Sequence, residues 1–208
     1  MLVVYLHGFL SGPESTKARI TQDWITQHRP DIDYYCPPLS SYPHIAKQRL
    51  IEVFEGRYEG SPGEVRDSCL DKNTVLIGSS LGGYWATWLS EKYNLPTVLV
   101  NPAVNPSMFL PEYLGVELKN FYTDEVYVLG EEDVTQLRDI DVVKPNNPDN
   151  FWLMVQTRDE TLDYRLAINK YADAKQLVEE GGSHSFDNYE QWLPSIIDFL
   201  ENRTINPA

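Results

Sequence analysis

The sequence is poor in cysteine and contains no long hydrophobic run. Its two cysteines, Cys36 and Cys69, are too few for the disulfide framework of a small secreted protein. No stretch approaches the roughly 20 apolar residues that a membrane-spanning helix requires. Residues 1–8 lack a basic lead-in, and their apolar run is too short for a signal peptide. We therefore expect a cytoplasmic protein that does not insert into membranes.

Basic residues are also scarce, with 17 Lys and Arg against 31 Asp and Glu and a formal net charge of −14. A charge of this sign is repelled by the phosphate backbone of nucleic acids and by anionic lipid headgroups. The composition therefore argues against a nucleic-acid partner. No cluster of His, Cys and carboxylate residues has the spacing of a metal site, so we expect no metal.

The chain has 208 residues, of which 42% are hydrophobic and 12% are aromatic. This length favours one domain with an insertion over two independent domains. A chain of this size can bury about 70% of its unfolded surface, so its core needs no disulfide or metal to support it. We expect a single domain over residues 1–208, and the oligomeric state stays open.

Short runs of β-branched and aromatic residues alternate with segments of helical periodicity. Six runs predict strands, at residues 3–6, 33–36, 74–77, 97–100, 151–155 and 176–179. Several are almost continuously apolar, which favours a parallel sheet with helices on both faces. The alternation of strands and helices predicts an α/β fold with a doubly wound, mostly parallel sheet of about six strands.

Residues 102–149 interrupt this alternation. Pro, Asn, Gly and acidic residues break every candidate strand or helix there. A structureless loop of this length is uncommon in a compact domain, so we interpret the segment as an excursion with short helices. It either forms a lid over a functional site or decorates the periphery without a role in binding.

Residues 78–82 form the pentapeptide G-x-S-x-G, with Ser80 at its centre. This motif holds a serine on a sharp turn between a strand and a helix, and here it lies between a predicted strand and a predicted helix. Ser80 is therefore the candidate nucleophile. Alternatively, it only caps the helix in a tight packing turn. The glycines do not fit the phosphate-binding motifs G-x-x-x-x-G-K-[ST] or G-x-G-x-x-G, which disfavours nucleotide binding.

A nucleophilic serine needs an imidazole as its base, and the chain has four histidines. His184 lies in a glycine-rich loop after the last predicted strand, from which its side chain can reach the carboxyl edge of the sheet. His28 is expected at the end of a surface helix, His44 at the solvated start of another, and His7 in a structural turn. We therefore predict His184 as the base.

A carboxylate must orient that imidazole. Asp159 follows the fifth predicted strand within a few residues, at the same sheet edge as Ser80 and His184. Its neighbour Glu160 is expected to point away, and Asp163 is expected to cap the next helix. The order Ser80, Asp159, His184 is that of nucleophile, acid and base on α/β-hydrolase sheets.

Two other residues at these strand ends bear on the acid. Asn101 follows the fourth predicted strand, but it is uncharged and cannot act as an ionised orienter. Arg158 directly precedes Asp159, so its guanidinium could compete for the carboxylate. Asp159 remains the predicted acid.

Two backbone N–H groups are expected to stabilise the oxyanion. In this motif one belongs to the residue after the nucleophile, Leu81, and the other to the loop after an earlier strand. His7 and Gly8 follow the first strand, so Phe9 is the predicted second donor and Leu10 the alternative. If the His7-Gly8-Phe9 segment does not bind an oxyanion, it forms an ordinary turn.

An apolar acyl pocket is expected near these groups. The predicted pocket residues are Leu10, Tyr84, Phe109 and Tyr113, of which the last two come from the 102–149 segment. Aromatic residues are equally common in protein cores, so a place in the core is the alternative for each aromatic candidate.

Several segments resemble the YqiA/YcfP-type family of small bacterial esterases in the α/β-hydrolase superfamily. They are 5–9 (YLHGF), 78–84 (GSSLGGY), 101–104 (NPAV), 156–160 (QTRDE), 162–164 (LDY) and 179–184 (EEGGSH). The resemblance implies a minimal α/β-hydrolase fold and hydrolysis of an acyl ester or thioester without a cofactor. It also implies that Ser80, Asp159 and His184 are catalytic.

These observations together predict a serine hydrolase, either a carboxylesterase or an acyl thioesterase, that forms an acyl-enzyme intermediate on Ser80. Amidase and lipase activities stay open, because no residue in the sequence indicates which leaving group the substrate has. The alternative from another class is a catalytically idle binding or regulatory protein that keeps the hydrolase fold and binds a basic partner. An intact serine, acid and histidine set favours the enzyme.

Overall fold

The centre of the molecule is a six-stranded sheet, seen in a computed structural model that describes residues 1–56, 69–71 and 73–205. The strands of the chain are β1 (Leu2–Leu6), β2 (Asp33–Tyr35), β3 (Thr74–Ser79), β4 (Thr97–Val100), β5 (Glu117–Lys119), β6 (Val126–Val128), β7 (Phe151–Gln156) and β8 (Lys175–Glu179). The sheet has the order β2-β1-β3-β4-β7-β8, and all its neighbouring strands are parallel. The six strands predicted from the sequence are confirmed.

Helices cover both faces of this sheet. They are α1 (Thr16–His28), α2 (Pro43–Glu55), α3 (Leu81–Tyr93), α4 (Glu131–Arg138), α5 (Tyr164–Lys170) and α6 (Leu193–Ile205). Along β1, Leu2, Val4 and Leu6 belong to the core shared with α2, α3 and α5, whereas Val3 and Tyr5 belong to the core shared with α1 and α6. Both faces of the strand are therefore buried, which explains why its sequence is continuously apolar. None of the helices in the described part of the chain has the length and apolar character of a membrane span.

Residues 102–149 form small elements between β4 and β7. They contain helix α4, short 3-10 helices and the antiparallel pair of β5 and β6. The buried apolar residues of these elements join the core on the α2, α3 and α5 side: Leu110, Leu118, Tyr127, Leu129, Val134, Leu137 and Ile140. The hairpin of β5 and β6 was not predicted, because each strand has three residues and buries only the middle one.

A close backbone contact joins the start of α3 to the end of β1. A Cβ atom at Gly82 would lie 1.9 Å from the carbonyl oxygen of Leu6, and one at Gly78 would lie 2.6 Å from the carbonyl oxygen of Gly82. Both distances are well inside the normal separation of non-bonded atoms. Glycine at these two positions therefore allows β1, β3 and α3 to approach one another closely.

We predict that Gly82→Ala lowers the free energy of unfolding by about 3 kcal/mol or more, because the added methyl group collides with backbone of β1. Urea denaturation of the variant and the parent protein measures this loss. Gly130→Ala is the matched control, because an added Cβ there has no heavy atom closer than 3.7 Å. A Gly82→Ala protein as stable as the parent would contradict the contact.

Candidate active site

Several of the parallel strands end at the same edge of the sheet, the edge at which α/β folds place their ligands. Phe9 lies in the loop after β1, and Ser80 directly follows β3. Asp159 lies in the loop after β7, and His184 lies in the loop after β8. The topology therefore places these four predicted residues on one rim.

A chain of hydrogen bonds joins Asp159, His184 and Ser80. The Nδ1–H of His184 donates to Oδ2 of Asp159 at 2.8 Å, and the Ser80 hydroxyl donates to Nε2 of His184 at 3.1 Å. Because an ionised carboxylate only accepts hydrogen bonds, the contact assigns the ring proton to Nδ1 and leaves Nε2 as an acceptor. This arrangement can take the proton of the Ser80 hydroxyl.

The Asp159 carboxylate is held in one orientation. Its side chain is only 2% exposed. Its Oδ1 accepts from the backbone N–H groups of Thr161 and Leu162, each at 2.8 Å, while Oδ2 accepts from His184. Arg158 is exposed, and no ion pair within the described residues joins its guanidinium to Asp159. The possible competition from Arg158 is therefore not seen.

Ser80 has a backbone conformation that residues other than glycine rarely adopt, with φ 56° and ψ −126°. Its carbonyl oxygen accepts from the N–H groups of Gly83 and Ala103, both at 2.9 Å, and its own N–H donates to Val100. These bonds hold the strained turn. The Ser80 side chain makes no capping hydrogen bond to α3, which disfavours the view that it serves only as a helix cap.

Two buried amide side chains hold the loop that carries His184. Oε1 of Gln156 accepts from the N–H groups of Ser183 and Asp187, at 3.1 and 2.7 Å. Nδ2 of Asn101 donates to the carbonyl oxygens of Ser183 and His184, at 2.9 and 3.1 Å. Both amides are buried, and a hydrogen bond is stronger in such a low-dielectric environment than in water.

Glu160 contacts the backbone of His184 and not its ring. The N–H of His184 donates to Oε2 of Glu160 at 2.9 Å, and this bond lowers the pKa of the exposed Glu160 carboxyl. From the sequence, we expected Glu160 to point away from the imidazole, and we did not predict that Asn101 and Gln156 hold the loop of His184. The available signal was their position, since all three are polar residues at or just after the ends of buried strands.

His7 fixes the loop after β1 beside Ser80. Its buried ring accepts from the N–H of Leu39 through Nε2 and donates through Nδ1 to the carbonyl oxygen of Gly8, both at 3.0 Å. Burial lowers the pKa of His7, so the folded protein holds the neutral ring. A Cβ atom at Gly8 would lie 3.1 Å from Cβ of Ser80, which shows how closely this loop approaches the serine.

The two predicted oxyanion donors belong to segments that meet at Ser80. Leu81 is the first residue of α3, so its N–H lies among the helix amides that have no carbonyl partner one turn earlier. The positive end of the helix dipole adds to its attraction for an anion. Phe9 lines the same groove as Ser80. Their role as donors stays a prediction.

A groove of about 520 Å³ opens over Ser80 and His184. The larger side chains of its wall include Tyr5, Phe9, Lys17, Ile20, Phe121, Tyr122, Phe186, Tyr189 and Glu190. Phe121 and Tyr122 come from the turn between β5 and β6, in the 102–149 segment. Polar and charged side chains share this wall with the apolar rings, so the groove can contact both apolar and polar parts of a small organic molecule.

None of the four residues predicted for the acyl pocket is among the described residues that line this groove. Tyr84 is buried in the core, and its hydroxyl donates to the carbonyl oxygen of Leu137. Phe109 packs against the core on the α2, α3 and α5 side. The assignment of these two aromatic residues to the pocket is corrected, because Tyr84 lies in the protein interior and the half-buried Phe109 packs against the core outside the groove.

Leu10 and Tyr113 lie close to the groove but outside its wall. Leu10 is buried, and its carbonyl oxygen accepts from the N–H of Phe121 at 2.8 Å, which links the β1 loop to the hairpin. Tyr113 contacts the ring of Phe9 edge to face, with 6.3 Å between ring centroids. Both residues therefore contact residues of the wall.

A second groove of about 530 Å³ is lined by residues of α2 and α4 together with Asp139, and its wall includes His44. Its described lining contains no serine or cysteine that could act as a nucleophile. Within residues 1–56, 69–71 and 73–205, no group of three or more His, Cys, Asp or Glu side chains is placed to hold a metal ion. The groove over Ser80 is therefore the candidate active site.

We predict that His7 makes the stability of the fold depend on pH. An unfolded histidine binds a proton below about pH 6.5, whereas the buried ring of the folded chain resists protonation. Stability is therefore lost as the pH falls from that value toward the lowered pKa of the folded state. His7→Gln keeps an acceptor for the Leu39 N–H and should reduce the loss between about pH 7 and pH 5 by up to about 2 kcal/mol, the limit set by the unfolded pKa.

Urea denaturation at the two pH values tests this prediction. His28→Gln is the control, because His28 is exposed at the end of α1. If His7→Gln and the parent protein lose the same stability on acidification, His7 is not the cause.

The family model described as "Uncharacterised protein family (UPF0227)" matches residues 2–201. One curated relative is the UPF0227 protein YcfP of Salmonella paratyphi A (strain ATCC 9150 / SARB42). It is 23% identical over 199 residues, which cover 95% of this chain and 98% of the relative. These matches confirm the resemblance found in the sequence.

Solved structures show the same architecture. Est1E from Butyrivibrio proteoclasticus superimposes with a TM-score of 0.66 and 13% identity, covering 99% of this chain and 88% of that one. Alpha/beta hydrolase domain-containing protein 10 from mouse gives a TM-score of 0.69 and 14% identity, covering 97% and 90%. The predicted α/β-hydrolase fold is therefore confirmed.

Proposed function

This chain belongs to the UPF0227 family, and we propose that it is a serine hydrolase that cleaves a carboxylic ester or an acyl thioester. The observation that carries the proposal is the chain of hydrogen bonds from Asp159 through His184 to Ser80. A protein that only binds a partner does not require a serine whose hydroxyl is bonded to a carboxylate-oriented imidazole. The α/β-hydrolase fold adds support by placing this serine on the turn that such enzymes use.

In the proposed reaction, Oγ of Ser80 attacks the acyl carbon while Nε2 of His184 takes the hydroxyl proton. Asp159 keeps Nδ1 protonated and stabilises the imidazolium. The bond from the acyl carbon to the leaving oxygen or sulfur then breaks, and His184 gives its proton to that atom. Water attacks the acyl-enzyme by the same route and releases the carboxylic acid and Ser80.

The N–H groups of Phe9 and Leu81 hold the developing oxyanion in this proposal. Supporting it, the β1 loop lies against Ser80 at Gly8, and Leu81 opens a helix of 13 residues. Donors fixed before the reaction stabilise the transition state without reorganising, which is usually a large share of the catalytic effect.

The 102–149 segment covers one side of the groove in this proposal. The turn between β5 and β6 is tied to the β1 loop by two hydrogen bonds: Phe121 N–H to Leu10, and Nδ2 of Asn120 to the carbonyl oxygen of Ser11 at 2.9 Å. The rings of Phe121 and Tyr122 therefore form part of the wall beside Ser80. We assign the acyl-binding surface to these two rings.

Ser80→Ala should lower the hydrolysis of a short-chain aryl ester by roughly 10³-fold or more, because it removes the hydroxyl on which the proposed acyl-enzyme forms. A fluorophosphonate probe should label the parent protein and not this variant. The control is Ser195→Ala, which removes an exposed serine of α6 and should leave both signals unchanged. If the probe does not label the parent protein, the result favours the alternative, a catalytically idle binding protein. Matched oxygen and sulfur esters then separate carboxylesterase from thioesterase activity.

Asp159→Asn should lower kcat/KM by roughly 10³-fold or more, because an amide in place of the carboxylate favours the wrong ring tautomer of His184. Steady-state kinetics on the same ester measures the effect. Asp163→Asn is the matched control, because Asp163 caps α5 through the Arg165 N–H and asparagine caps helices equally well. Equal activities for the two variants would remove Asp159 from the mechanism.

A further inference from the structure

Lys17 is a cationic side chain in the wall of the groove, and the reaction proposed above does not use it. It is the second residue of α1, and its Nζ donates to the backbone carbonyl oxygen of Ser185 at 2.9 Å. Ser185 directly follows His184, so the ammonium lies beside the loop that carries the proposed base. Lys17, Ser80 and His184 line the same groove.

No carboxylate forms an ion pair with this ammonium in the part of the chain that the structure describes. Four other lysines there each pair with an acidic side chain: Lys92, Lys119, Lys144 and Lys170. The acidic residue that precedes α1, Glu14, pairs with Arg19. An ammonium has three N–H donors, and the described contacts of Lys17 use one of them. Two donors are therefore available to a bound molecule.

The charge of Lys17 is present at neutral pH. Burial lowers the pKa of Lys17 to about 8, and the nearby Asp159 carboxylate opposes this decrease. The amine is therefore mainly protonated at pH 7 but less hydrated than an exposed lysine. A counter-ion bound there is screened less by water than one on the open surface.

Lys17 is the only lysine or arginine among the described residues that line the groove. Ser15 and Thr16 also line it, and the first turn of α1 has no acidic residue to offset the positive end of the helix dipole. Two acidic side chains line the groove as well, and one of them, Asp187, is already hydrogen-bonded to Ser183. Lys17 is therefore the one cationic side chain in the described wall, beside the acidic Asp187 and Glu190.

We propose that Lys17 is a specificity-determining residue that binds an anionic group, a carboxylate or a phosphate, of the ester substrate. The proposal rests on the hydrolase function proposed above. A neutral ester would remove water from the ammonium without giving it a partner, whereas an anionic ester replaces that water with a charge-assisted hydrogen bond. The anion belongs either to the acyl part or to the leaving group, and the experiment distinguishes the two.

A purely structural role for Lys17 predicts a different result. In that case its bond to Ser185 only positions the His184 loop, and losing it slows the hydrolysis of every ester to the same extent. Substrate binding by Lys17 predicts a loss confined to anionic esters. The decisive quantity is therefore the ratio of kcat/KM for an anionic ester to kcat/KM for its neutral counterpart.

The test compares Lys17→Met, which removes the charge, with Lys17→Arg, which keeps it. Para-nitrophenyl hemisuccinate and butyrate probe the acyl side, and para-acetoxybenzoate and para-acetoxybenzamide probe the leaving-group side. Lys17→Met should lower kcat/KM for the anionic ester of at least one pair by about tenfold or more, while the neutral ester changes by less than about twofold. Lys17→Arg should keep most of the preference for the anionic ester.

Lys144→Met is the control, because it removes an exposed lysine that pairs with Asp173. It should change kcat/KM for neither the anionic nor the neutral ester.

An equal loss on both esters of each pair, or no loss on any ester, overturns the proposal. Calorimetric binding to Ser80→Ala gives a readout that does not need turnover. There the anionic ester should bind about tenfold more tightly than the neutral one, and adding Lys17→Met should abolish the difference. If the anionic and the neutral ester bind to Ser80→Ala with equal affinity, Lys17 does not determine specificity, even if the hydrolase activity is established. Full hydrolysis by Ser80→Ala refutes the catalytic proposal, and the ratio of kcat/KM for the anionic and neutral esters in Lys17→Met and the parent protein then decides on Lys17.

Discussion

The 2.8 Å hydrogen bond from Nδ1 of His184 to Asp159 is the contact from which the candidate site takes its chemistry. It determines which ring nitrogen holds the proton, and so leaves the other nitrogen free to accept from Ser80. The carboxylate cannot turn away, because its second oxygen accepts two backbone N–H groups. Without this fixed acceptor, an imidazole on a glycine-rich loop would have no preferred orientation.

An apolar sheet can carry this polar site because buried amides satisfy the backbone of the loops around it. Asn101 and Gln156 lie at or just after the ends of two neighbouring strands and bond to the loop that holds His184. Gly182 has φ 73°, and a Cβ there would lie 1.9 Å from Oε1 of Gln156. Asn101 and Gln156 therefore lie at the strand ends and also position the loop that carries His184.

Sequence patterns were sufficient wherever the structure depends on residues that are adjacent in the chain. Short runs of β-branched and aromatic residues predicted all six strands of the main sheet, and the pentapeptide predicted the sharp turn at Ser80. Asp159 and His184 were predicted by one added rule, that parallel strands end at a common edge. The pair of β5 and β6 was missed, because one buried side chain in each strand produces no detectable periodicity.

The sequence by itself determined which residues can carry chemistry and which strand each of them follows. Only the tertiary structure decided what surrounds them: Phe121, Tyr122 and Lys17 form the wall, and the four residues predicted for it lie elsewhere. Aromatic residues occur both in protein cores and in groove walls, so the identity of the residue does not reveal its place. That place depends on packing between elements far apart in the chain, which no local pattern records.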